Sequence, residues 1–166
     1  AYKKEKGYFE ILKVAEILKN KGIRIECYGY GSYTKFNLIK IKKKLKNISF
    51  NKFDINLEKK IRNFDILLHL SKREGLPVSV MQCLLAGLPI ICYNIRGNND
   101  LVTDKFNGYF VETYKDVPNK IFYLNLEKNF FNNMRLNASR SLSQEFSKKK
   151  INLKLYNIIK KHFNYK

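Results

Sequence analysis

Residues Arg73–Gly97 read REGLPVSVMQCLLAGLPIICYNIRG. Between Glu74 and Arg96 this stretch holds no charged residue, in a chain that carries 33 Lys and Arg. Gly75 to Ile95 is long enough to be weighed as a membrane span. Pro77, Gly87 and Pro89 punctuate it, and Gln82 lies in its middle. A break at Gly87-Leu88-Pro89 would leave backbone groups unpaired in lipid. The stretch instead predicts a helix from about Val78 to Ala86, stopped by Gly87, followed by a short apolar strand, PIICY. Pro77 suits the first helical position, where its missing N–H costs nothing.

Working outward, the same alternation of helix and strand repeats. YFEILKVAEILKNKG places Tyr8, Ile11, Leu12, Ala15 and Leu18 at helical spacing and closes at Gly22. IRIECYG reads as a strand. KFNLIKIKKKLKN predicts a basic helix with Phe36, Ile39 and Leu45 inward. ISF is a short strand and NLEKKIRNF a short helix. DILLHLS is a continuous apolar strand, the kind buried on both faces of a parallel sheet. The loop NIRGNNDL follows Tyr93, and Asn107-Gly108 marks a turn before a last strand, FNGYFV. From about Tyr114 onward the pattern is helical. Strands alternating with helices imply an α/β fold with a Rossmann-like, doubly wound parallel sheet.

Composition agrees with one folded domain. The 166 residues are 45% hydrophobic and 14% aromatic, enough for a proper core. The formal net charge of +19 favours phosphate-bearing partners: nucleotides, nucleic acid or an anionic membrane surface. Joint over-use of Lys, Asn and Ile explains the same charge without any function. The 11 Tyr and 12 Phe also invite stacking on nucleic acid. They fall mainly at apolar helical or strand positions, however, and no nucleic-acid-binding motif is legible, so no such partner is expected. Cys27, Cys83 and Cys92 sit in apolar contexts and read as buried free thiols of a reducing cytosol. Neither they nor His69 and His162 show metal-ligand spacing, and no metal or cofactor is expected. No signal peptide is visible, and the opening AYKKEKG reads as that of an excised fragment.

Ligands of open parallel sheets bind beyond the carboxyl ends of the strands. Glu74 lies just past DILLHLS, and the amides of the next helix's first turn, Val78 and Ser79, point the same way. A helix N-terminus favours anions. A carboxylate repels phosphate, so the task of Glu74 is to accept hydrogen bonds from neutral hydroxyls beside it. Gln82, one turn beyond Val78, can also reach a hydroxyl. Carboxylate, anion site and amide together describe a pocket for a sugar joined to a diphosphate. On spacing alone, a surface-loop Glu74 and a solvated Gln82 compete with this reading.

The segment SKREGLPVSVMQCLLAGLPIICYNIRGNNDLV…NGYFVE resembles the group-one family of retaining nucleotide-sugar glycosyltransferases with two Rossmann domains, the GT-B fold. It is most similar to the bacterial capsule, lipopolysaccharide and lipid-linked oligosaccharide branch. The resemblance runs from about Lys6 to Glu112, and its most specific part is the order EGLP, helix, AGLP, NGYFV.

The resemblance implies roles residue by residue. The family has two glutamates separated by seven residues. The first contacts the donor sugar and matches Glu74, which is therefore the catalytic candidate. The second holds the ribose and matches Gln82, a departure that replaces a carboxylate by an amide. Because a carboxylate accepts hydroxyl hydrogen bonds more strongly, Gln82→Glu is expected to preserve or strengthen nucleotide binding. Backbone amides that cradle sugar and diphosphate match Gly75, Leu76, Val78 and Ser79, whereas Pro77 has no amide to offer. The family's diphosphate-clamping lysine, set before a glycine, matches Lys6; its companion arginine would precede Ala1. Phe53 is the candidate for a base contact. Arg96 is placed toward phosphate or acceptor, with helix capping or solvent as the alternative. His69, within the buried strand, reads as a core histidine rather than a catalyst.

By the same resemblance the chain is one donor-binding half, residues 1–166, of a two-domain enzyme whose acceptor domain is absent, and it is expected to be inactive alone. The implied reaction moves a sugar from a nucleotide-diphosphate sugar, with UDP as the expected carrier, to a hydroxyl of a glycan or lipid-linked acceptor. The implied place is the cytoplasm, at the inner face of the cytoplasmic membrane. Apart from the resemblance, the lysine surplus makes the helix IKIKKKLKN the first suspect for contact with an anionic bilayer, with a solvated basic face as the alternative. A sugar-nucleotide epimerase or phosphorylase of the same fold is the alternative.

Overall fold

The computed structural model describes residues 4–29, 44–52, 54–145 and 148–163. Phe53 and most of the expected basic helix, Phe36 and Ile39 included, lie outside the described residues.

The central ladder joins β3 (Leu67–His69), β4 (Ile90–Tyr93) and β5 (Gly108–Val111), all parallel and in that order. Its register sets Leu67 against Ile90 and His69 against Cys92, then Ile90 against Gly108 and Tyr93 against Val111. A second parallel ladder pairs β1 (Ile25–Tyr28) with β2 (Ile48–Asn51). Side chains alternate across a strand. In β4, Ile91 therefore enters one core while Ile90 and Cys92 enter the other. The Ile91 core is closed by Val14, Ala15 and Leu18 of α1 (Tyr8–Ile17) and its C-cap, and by Val117 and Leu124 of α4 (Val117–Leu126). The Ile90 core takes Val80, Cys83 and Leu84 of α3 (Val78–Leu85), and Ala138 and Leu142 of α5 (Lys128–Glu145). Helices thus cover both faces of a parallel sheet, the doubly wound Rossmann-like layering expected from the alternation. A short α2 (Leu57–Ile61) precedes β3, and α6 (Lys148–Phe163) closes the described chain. Among the described residues no helix is long and apolar enough to cross a membrane.

Two local expectations shift. Pro77 is the N-cap of α3, in extended conformation (φ −75°, ψ 109°), not its first helical residue. Its carbonyl accepts from the Val80 N–H (3.1 Å) and the Met81 N–H (3.2 Å), which starts the helix one residue later. The DILLHLS strand is not buried on both faces: Leu67, Leu68 and His69 are half-buried. The reason is their place at the edge of the β3–β4–β5 ladder. Leu70 and Ser71, just past the strand, are the buried pair.

Candidate functional site

The carboxyl end of β3 is where the chain's remote segments converge. A 3-10 turn, Lys4–Lys6, lies across it. The Glu5 carbonyl accepts from the Lys72 N–H (2.8 Å) and from the Ser71 hydroxyl (3.1 Å), which ties the turn to the strand exit. Gly7 follows at φ 71°, and a Cβ on it would lie 1.9 Å from the Leu70 carbonyl oxygen. Only a residue without a side chain permits so close an approach. The turn delivers Lys6 to Glu74, with Nζ 2.8 Å from each carboxylate oxygen.

The other wall is built the same way. Gly97, at φ 86°, would place a Cβ 2.2 Å from the Gly75 carbonyl oxygen and 3.3 Å from the Glu74 Cβ. The loop after β4 therefore presses directly on the Glu74–Gly75 backbone. Buried Asn98 fixes that loop by donating from Nδ2 to the Tyr93 carbonyl at 3.0 Å.

At the centre, the Glu74 side chain is 9% exposed while Lys6 is 43% exposed. Burial by itself raises the Glu74 carboxyl. The hydrogen bonds from Lys6 and Ser71 and the charges of His69 and Lys6 outweigh it, and the net shift is downward from the ordinary value of 4.5. His69 Nε2 lies 3.2 Å from Glu74 Oε1. That contact lacks the alignment of a hydrogen bond, and the buried Nε2 has no other partner among the described residues. Burial is the main force holding the imidazole below its ordinary 6.5, against the pull of Glu74. His69, expected as a core histidine, is 13% exposed at the last position of β3 and stands beside Glu74.

Around this centre, Gly75, Leu76, Val78 and Ser79 are all exposed, Leu76 by 46% and Val78 by 60%. The amides of Val78 and Ser79 have no carbonyl one turn earlier in α3 to accept them. Arg96 is exposed on the loop after β4. Gln82 is half-buried on α3, and its Nε2 donates to Glu58 Oε1 of α2 at 3.2 Å. No reading of spacing had brought Glu58 to this place. Beside the site, Lys72 pairs with Glu10 at 2.7 Å. Burial opposes ionisation of Glu10, but the Lys72 contact prevails and its carboxyl is also lowered.

These depressed carboxyls fix a pH dependence. A group whose folded pKa is lowered contributes stability that is complete above its unfolded value and lost as pH falls through the folded one. Wild type should therefore lose stability on acidification below about pH 4.5. The Lys6→Met variant should lose less over the same window. Thermal melts from about pH 7 to about pH 3 read this directly, and parallel curves for the two proteins would refute it.

Among the described residues no group of three or more His, Cys, Asp or Glu gathers as for a metal ion. None of the three cysteines is in a disulfide, and Cys83 and Cys92 are buried. Desolvation pushes Cys27 and Cys92 up to about 12 and Cys83 to about 11, so none is a ready nucleophile.

The family model "Glycosyl transferases group 1" matches residues 1–140. A poly(ribitol-phosphate) alpha-N-acetylglucosaminyltransferase of Staphylococcus aureus (strain COL) is 25% identical over 121 residues, 69% of this chain. A UDP-Gal:alpha-D-GlcNAc-diphosphoundecaprenol alpha-1,3-galactosyltransferase of Escherichia coli is 40% identical over 48 residues, 29% of this chain. The chain spans about a quarter of the length of the first relative (24%) and 12% of the second. Among solved structures, S. aureus TarM superposes with a TM-score of 0.82 at 22% identity, covering 92% of this chain and 32% of that one. The C-terminal domain of LpcC from Francisella tularensis gives 0.72 at 20% identity, covering 88% of this chain and 82% of that one. Anabaena HepE, solved in complex with UDP, gives 0.82 at 17% identity, covering 95% and 46%. These likenesses establish a shared fold.

Proposed function

The chain belongs to the group 1 glycosyl transferases, and on that premise we propose that the site around Glu74 holds the sugar and diphosphate of a UDP-sugar. The observation that carries this is the Lys6–Glu74 pair, bidentate at 2.8 Å, at the carboxyl end of β3 beside the start of α3. A cation for phosphate, a carboxylate for hydroxyls and a helix end for anionic oxygens stand together there.

In this reading Glu74 accepts hydrogen bonds from hydroxyls of the donor sugar. Lys6 turns to the diphosphate, joined by the amides of Gly75, Leu76, Val78 and Ser79. Arg96 serves the phosphate or acceptor side. Charge that develops on the departing diphosphate meets Lys6 and the helix-end dipole, so the reading calls for no metal or cofactor. Transfer proceeds with retention to a hydroxyl of a glycan or lipid-linked acceptor, held by an acceptor domain of the larger protein. Surface-polysaccharide synthesis at the inner face of the membrane is the setting, consistent with the names of the relatives and with the net charge of +19.

The deciding experiment is a nucleotide-sugar screen by thermal stabilisation of this chain. UDP-sugars should raise its melting temperature above the shift given by other nucleotide sugars. No shift with any uridine nucleotide would overturn the reading.

Gln82 stands for the ribose contact, and its neighbour changes one expectation. A glutamate at position 82 would face the Glu58 carboxylate, which lies 3.2 Å from the present amide. Like charges so placed repel. Gln82→Glu alone should therefore weaken UDP binding instead of strengthening it. The double variant Glu58→Gln/Gln82→Glu, which restores one carboxylate and one amide, should recover it. Calorimetric titration with UDP compares the three proteins, and a gain in the single variant would refute the coupling.

A further inference from the structure

Glu74 has two basic neighbours of different character. Lys6 is 43% exposed and reaches the carboxylate on a flexible four-carbon stem. His69 is 13% exposed and fixed on β3, with Nε2 buried, 3.2 Å from Oε1 and without a hydrogen-bond partner among the described residues. An anionic ligand that enters beside Glu74 draws on the same ammonium donors that Glu74 uses. When Lys6 turns to it, a carboxylate only 9% exposed loses its donor where water replaces it poorly. Nε2 is already within reach, and a small rotation of the ring aligns it.

We propose that His69 is a positioning residue: its imidazole, with the proton on Nε2, takes over the Glu74 carboxylate when Lys6 turns toward a bound diphosphate, and so keeps Glu74 ionised and aimed at the donor sugar. This rests on the UDP-sugar reading above. The opposite tautomer would set a nitrogen lone pair against the carboxylate. The charged groups acting on the ring are Glu74 and Lys6. Across the ladder its register partner is Cys92, a neutral thiol.

The test separates this role from core packing. Carbon-detected NMR follows the Glu74 carboxyl titration in Lys6→Met, Lys6→Met/His69→Leu and Lys6→Met/His69→Gln, with no ligand present. Leucine fills the space without a donor, whereas the glutamine amide reaches the place of Nε2. Glu74 should titrate higher in the leucine variant and return toward the Lys6→Met value in the glutamine variant. The same titration in Lys6→Met with and without His69→Leu overturns the proposal. With Lys6 intact, His69→Leu should weaken UDP-glucose binding about tenfold by calorimetry, the loss of one charge-assisted hydrogen bond. Binding of UDP, whose diphosphate draws Lys6 away in the same way, should weaken by a similar factor, and His69→Gln should rescue both ligands. Unchanged binding of both ligands, or losses that His69→Gln fails to rescue, overturn it. If wild type binds neither nucleotide, it is the UDP-sugar reading that fails, a result told apart because the carboxyl titration needs no ligand.

Discussion

Glu74→Ala should remove most sugar transfer by the protein that carries this domain and leave its fold intact. The side chain is nearly buried, yet it anchors no core contact; its partners are Lys6, Ser71 and His69 at the strand end. Lys6 is exposed enough to return to water once the carboxylate is gone. A hydrogen bond between a charged acceptor and a sugar hydroxyl is worth roughly 1.5–3 kcal/mol, so transfer should fall about tenfold to more than a hundredfold. Melting should change little, because deletion of the carboxylate also removes the cost of its burial. Activity assays and thermal melts on the same preparation check both halves. Near-normal transfer by a folded variant would contradict the placement of the donor sugar.

The second large effect is expected at Gly7. An alanine there must hold φ 71°, and its Cβ would sit 1.9 Å from the Leu70 oxygen and 2.4 Å from the carbonyl carbon. The left-handed backbone costs about 1–2 kcal/mol by itself. The overlap with backbone atoms adds more, and together they reach the rare class of losses above about 4 kcal/mol. The chain can relieve it by lifting the Lys4–Lys6 turn, which carries Lys6 away from Glu74. Either the melting temperature collapses or nucleotide binding does. Gly22→Ala is the control: the same φ of 71°, with nothing within 4 Å of the added Cβ. Its loss measures the backbone strain alone. Equal effects of the two substitutions in melts and in binding would show that the Leu70 contact is not restrictive.

The sequence disclosed what neighbours in the chain determine. Pro77 and Gly87 bracket a helix within one residue of α3, and the apolar run after Pro89 becomes β4. Glu74 was singled out because it follows a strand and precedes a helix, a purely local relation. What lay hidden depends on contacts between distant segments. Lys6 and Glu74 are 68 residues apart, and Gln82 and Glu58 are 24 apart. A continuous apolar run places His69 on a strand but cannot say that Glu74, five residues on, comes within 3.2 Å of its ring. Apolar composition suggested that β3 is buried on both faces, whereas burial depends on which strands flank it. The register that leaves β3 at an edge arises only when the ladder forms.

The native thiols make this molecule a quiet background for site-specific labelling. With thiols pushed to about 12 at Cys27 and Cys92 and about 11 at Cys83, fewer than roughly one in 1,000 is ionised near neutral pH. Maleimide dyes react through the thiolate, so wild type should take up dye slowly. A cysteine at Leu76, 46% exposed at the mouth of the site, should instead react at the speed of an ordinary surface thiol. The attached fluorophore would then sense the arrival of a ligand beside Glu74 without removal of a single native cysteine.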